Sequence, residues 1–186
     1  MKPGLLTSLI LLVLSIGSQA GEVMHSHVDY DDGHYLVRVV MTIEAEAETV
    51  YAILTDFNHL TTLNKSIKRS QLLKSEGKHH MVKIEAEGCV WFYCQKVVQT
   101  QWLTERDNGY ISAITLPEQS NLEYGRVLWH IRQEDEYTTI SYRADVVPNF
   151  FVPPLIGPYI MKKRMLEKAT ETLHNIERIA QYEENY

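Results

Sequence analysis

The stretch Val146-Val147-Pro148-Asn149-Phe150-Phe151-Val152-Pro153-Pro154-Leu155-Ile156-Gly157-Pro158 decides how this chain is read. Its prolines fix φ and remove backbone donors, so it reads as a stiff apolar corner rather than a strand or a helix. Behind it Met165, Leu166, Ala169, Leu173, Ile176 and Ala180 recur at three- and four-residue steps, with Lys163, Glu167, Glu171, Asn175 and Arg178 between them. That spacing predicts one amphipathic helix running to about Tyr182. A helix of about 20 residues is roughly 30 Å long, enough to lie across a whole curved sheet.

The residues in front of the corner supply that sheet. Val37, Val39, Met41 and Ile43 alternate with Arg38 and Thr42, the pattern of a half-buried strand over about 35–43. Val50, Ile53, Leu54 and Phe57 then fall at helical spacing behind Glu46 and Glu48, and a second short turn carries Leu60 and Leu63. Six further strands are expected at about 66–75, 79–87, 94–104, 109–117, 120–133 and 137–147, separated by short turn-like segments. Asn108-Gly109 is the strongest hairpin signal among them. Short connections imply antiparallel neighbours. Val127-Trp129-Ile131 and Ile140-Tyr142-Ala144-Val146 should face inward; Arg126, His130, Arg132, Arg143 and Asp145 hold the opposite parity. Sheet, stiff corner and closing helix together describe an α+β container.

The N-terminus reads as a targeting segment. Lys2 precedes Leu5–Ile16, a largely apolar run of 12 residues, and Ser18-Gln19-Ala20 ends it with small residues where a signal peptidase reads. The run is short of the roughly 20 residues that span a bilayer. Residues 1–20 are therefore set aside as a leader, 21–33 as a flexible lead-in, 34–182 as the single domain and 183–186 as a tail. The chain is expected to be exported, to the periplasm if the source is Gram-negative. The formal charge is −6, or −7 without Lys2. An acidic chain with no basic tract argues against nucleic acid and against electrostatic docking on anionic membranes.

Cys89 and Cys94 are the chain's two cysteines. In one extended strand their Cα atoms would be roughly 16 Å apart, whereas a disulfide needs about 4.4–6.8 Å. Either both are reduced, or Val90-Trp91-Phe92-Tyr93 is a turn that a disulfide closes. In the second case Val90–Tyr93 is a stapled apolar tip suited to transient membrane contact. Two cysteines with no histidine close by do not make a metal site.

The order strand, two short helices, six antiparallel strands, long helix resembles the helix-grip fold of the SRPBCC superfamily, which includes START lipid-transfer and polyketide cyclase/dehydrase-like proteins. Ile43–Phe57 is similar to the superfamily's strand-to-helix entry, and Pro148–Met165 to the proline-containing run before its closing helix. The resemblance covers about 35–181. It implies a curved antiparallel sheet of about seven strands around the C-terminal helix, with two short helices after the first strand. It also implies an apolar cavity holding a lipid, quinone or polyketide-like molecule.

Candidate lining residues are Trp91, Phe92, Val127, Trp129, Tyr142, Phe150, Phe151, Tyr159 and Met165: large apolar or aromatic side chains on the inner parity, the tip, the corner and the helix face. Restricted by its prolines, the Phe150-Phe151 corner reads as a fixed wall rather than a moving gate. No cofactor motif is visible. For acid–base chemistry the candidates are Glu123, which shares the parity of Val127 and Trp129, and Tyr142. No triad or paired carboxylate singles them out, and His79-His80 reads as surface. The expected function is carriage of a hydrophobic small molecule by a monomer. The alternatives are a cyclase or dehydratase using the same cavity, and an envelope interaction module with a collapsed one.

Overall fold

A computed structural model of the chain describes residues 21–90, 93–153 and 155–184. The strands are β1 (Val23–Asp31), β2 (His34–Ile43), β3 (Ile67–Glu76), β4 (His79–Val90), β5 (Tyr93–Arg106), β6 (Tyr110–Thr115), β7 (Leu122–Glu134) and β8 (Tyr137–Pro148). All pair antiparallel in one sheet of order β1-β2-β8-β7-β6-β5-β4-β3. Helix α1 spans Ala47–Thr55, a 3₁₀ turn follows at Leu60–Thr62, and α2 spans Gly157–Glu184. This is the helix-grip arrangement.

The sheet has one strand more than the sequence suggests. The lead-in expected at 21–33 is the edge strand β1, paired with β2 from Val23↔Met41 to Asp31↔His34. Asp32 and Gly33 connect the two with φ of 43° and 86°. Two positive φ angles make the tight turn whose twist matches paired strands, and Asp-Gly supplies them at low cost. Val28 is the one fully buried residue of β1. An edge strand exposed along most of its length carries polar residues, which is why its composition reads as a tail.

One core runs across the sheet and includes Val82, Leu103 and Ile111 on β4, β5 and β6. Val39, Met41, Ile43, Val50, Ile140, Leu173, Ile176 and Ala180 retain no accessible surface. They join the C-terminal half of α2 to α1, β2 and β8. Full burial of each large aliphatic side chain contributes about 1.5–3 kcal/mol. Helix α2 packs on α1, β1 and β2. Its N-terminal half is different: Met161, Met165, Leu166 and Ala169 are apolar yet only half-buried.

Candidate ligand-binding groove

Strand register puts the inward side chains in rows. Val39, Tyr142, Trp129, Ile111 and Glu105 are successive partners across β2, β8, β7, β6 and β5. The next row toward the corner is Val37, Ala144, Val127, Ala113 and Leu103. Trp129 and Tyr142 are direct cross-strand partners with ring centroids 4.5 Å apart, tilted by 47°. Val127, Trp129, Tyr142, Ile84, Met165 and Leu166 all pack against the core and all keep accessible surface. These inward apolar side chains, between the sheet and the N-terminal half of α2, are the candidate lining; their row neighbours Val37, Ala113, Ala144, Leu103 and Ile111 are buried.

Tyr142 shows the character of these walls. It keeps accessible surface although protein surrounds it, and desolvation pushes its hydroxyl up to about 12. The phenol is therefore neutral at any physiological pH and can only give or take a hydrogen bond.

Polar groups sit on the same inner parity nearer the corner. Gln99 donates to Gln101 Oε1 (3.0 Å) and to Thr115 Oγ1 (2.8 Å), and Gln101 and Thr115 are buried. A Cβ on Gly125 would collide with Thr115 Oγ1, so the missing side chain leaves room for this cluster. Sequence reading missed these residues. The available signal was that Gln99 and Gln101 share the parity of the buried Leu103.

A second interior cluster lies where α1 crosses the sheet. Glu105 accepts a hydrogen bond from Tyr51 Oη (2.6 Å) and lies 2.7 Å from His80 Nε2; His80 Nδ1 is 3.0 Å from Ser75 Oγ. Burial and the adjacent Glu105 push the Tyr51 hydroxyl upward. His80, expected at the surface, is buried beside the Phe57 ring; His79 is exposed as expected. Each of these groups has a hydrogen-bond partner inside the protein.

Other sequence-derived candidates fall elsewhere. Glu123 is exposed. Register shifts between Leu122 and Tyr124, so two β7 residues oppose one of β8 and the parity linking Glu123 to Val127 is broken. Glu123 is not a buried acid. Phe150 is half-buried, but Phe151 and Tyr159 are 73% and 71% exposed, against the lining role expected of them. Trp91 and Phe92 lie outside the described residues. Cys89 and Cys94 face each other across β4 and β5 and form a disulfide, with Cα atoms 4.0 Å apart. β4 and β5 run antiparallel, so the two cysteines do not share one extended strand.

On the outer face the expected parity holds. Arg126, Arg132 and Arg143 are exposed, and Asp145 lies 2.7 Å from His34. A shallow trough of about 520 Å³ crosses this face between Arg38, Arg126 and Arg143, and no α2 residue lines it. Val37, Ala113, Val127 and Ala144 of the inner row border it as well.

A family model described as polyketide cyclase / dehydrase and lipid transport matches residues 35–181. Among solved structures, a START superfamily protein from Mycobacterium smegmatis superposes with TM-score 0.64 at 20% identity, covering 81% of this chain and 99% of that one. The Zhui aromatase/cyclase from Streptomyces sp. R1128 gives 0.63 at 14% identity, with coverage of 80% and 94%. A STAR-related lipid transfer protein from Xanthomonas axonopodis gives 0.62 at 13%, with coverage of 84% and 98%. No functionally curated protein matches the sequence. Likeness at these identities establishes the shared fold.

Proposed function

Because this chain belongs to the polyketide cyclase/dehydrase and lipid-transport family, we propose that it is an exported carrier of a hydrophobic small molecule held between the sheet and the N-terminal half of α2. The observation that carries this reading is the uncovered inner wall of Val127, Trp129, Tyr142, Met165 and Leu166 beside a fully packed core. An apolar ligand body replaces the missing side chains there, at about 25 cal/mol per Å² of surface removed from water before ordering costs. Its polar end is oriented by the Tyr142 hydroxyl and by Gln99, Gln101 and Thr115.

The ligand enters at the corner. Phe151, Leu155 and Ile156 are 73%, 95% and 58% exposed there, and Lys162, Lys163 and Arg164 follow within two turns of α2. Strand β5 pairs with β6 only from Gln101 onward, so the disulfide-closed end of the β4–β5 hairpin extends from the same sheet edge as the corner. The exposed apolar residues suit brief contact with a membrane from which a lipid or quinone is drawn.

Native mass spectrometry of gently purified protein tests the proposal, together with binding of a fluorescent fatty acid and a short-chain quinone. Expected is a co-purifying apolar molecule, or probe binding that weakens about ten-fold in Trp129→Ala, the loss of one buried aromatic contact. Empty protein that binds neither probe refutes it.

A further inference from the structure

Glu177 is a buried carboxylate with a neutral backbone partner. It lies on α2 beside Ile176 and is 5% exposed. One carboxylate oxygen accepts the backbone N–H of Gly21. The other is 3.9 Å from His174 Nδ1, on a ring that is itself half-exposed. Taking an ionised carboxylate out of water is unfavourable unless a cation or several donors meet it. One neutral amide is a weak answer.

The amide in question belongs to a particular residue. Gly21 directly follows Ser18-Gln19-Ala20, the small-residue end of the apolar leader. A Cβ at position 21 would run into the Glu177 carboxylate and the Thr42 carbonyl oxygen, so glycine alone fits. The first residue after the expected cleavage point is thus the residue whose nitrogen is seated on the buried acid.

We propose that hydrolysis of the Ala20–Gly21 bond creates the counter-ion of Glu177. One water is consumed; Ala20 leaves as the carboxylate end of the leader, and Gly21 becomes an α-amine. That amine carries a proton at neutral pH, since such groups titrate near about 7.7–8.0. A charged donor with three N–H bonds replaces a neutral donor with one, and charge-assisted hydrogen bonds are the stronger kind. The new ion pair ties the edge strand β1 to α2, the helix that walls the groove. Cleavage is then a folding signal. The chain that still carries its leader is held less firmly, and the released chain closes its grip. The inference rests on the leader reading of residues 1–20 but not on ligand binding.

Thermal unfolding of chains with defined termini tests it, because every strand and helix among the described residues lies within 21–184. A chain beginning at Gly21 is compared with one beginning at Ala20, each with Glu177 and with Glu177→Gln. Expected is a melting temperature higher by about 5 °C or more for the Gly21 chain. The gap should close in Glu177→Gln. Equal melting temperatures, or a gap that survives Glu177→Gln, overturn the ion pair. If Glu177→Gln does not fold, the α-amine decides: in the folded Gly21 chain it should react with an acylating reagent at least about ten-fold more slowly than in urea, and equal rates overturn the proposal. N-terminal sequencing of the exported protein should read Gly21 first. Any other first residue overturns the processing step while leaving the carrier function standing.

Discussion

At the scale of single residues, Tyr142 best shows how surroundings set behaviour. Nothing in Ser141-Tyr142-Arg143 distinguishes this tyrosine from the chain's other tyrosines. Its position between Val39 and Trp129 on the inner row does. Burial pushes the hydroxyl up to about 12. In the unfolded chain it ionises near about 10. Its contribution to stability is therefore intact below pH 10 and is lost as pH rises toward 12, because the unfolded state gives up the proton first. Tyr142→Phe should flatten that alkaline decline, leave the neutral-pH fold in place, and remove one late-titrating tyrosine from an absorbance titration at high pH. An unchanged titration curve refutes the assignment. Glu123 gives the opposite lesson. Its parity in sequence was right for an unbroken strand, and one extra residue at the Leu122–Tyr124 register shift turned it outward.

At the scale of elements, hairpins carry most of the organisation. The β4–β5 hairpin is closed by Cys89–Cys94, a loop short enough that the entropic gain is about 2 kcal/mol. Replacing both cysteines by serine should lower stability by no more than that and leave the melting transition cooperative. The loss should be local, with faster amide exchange in 86–97 and unchanged protection in β2 and β8. A global loss of protection would show that the hairpin end is needed for the whole sheet. Some element-scale information was legible and overlooked: Asp32-Gly33 announced the β1–β2 turn, but the acidic residues around it hid the strand. Other information was not legible. That His80 is buried and His79 exposed follows from the phase of β4 against β5, which is set by pairing over twelve positions from His79↔Thr104 to Val90↔Tyr93.

At the scale of the whole molecule, the decisive feature is the division of α2. Leu173, Ile176 and Ala180 are sealed, while Met161, Met165, Leu166 and Ala169 are not. Local stability should follow that division. In the ligand-free protein, amides over 159–169 should exchange faster than those over 173–180, and a bound apolar ligand should slow the first group selectively. Uniform protection along α2, with or without ligand, would mean that no groove opens there. What the sequence by itself determined is the container: alternation, turns, a proline-stiffened corner and one apolar helical face are local periodicities, and they leave few architectures open. Only the tertiary structure decided which inward residues are sealed and which keep accessible surface. It also decided that Gln99, Gln101 and Thr115 meet, that Phe151 and Tyr159 are exposed, and that Gly21 reaches Glu177. These are contacts between residues far apart in the chain. Strand register and the seating of α2 set them, and neither leaves a mark on any short window of sequence.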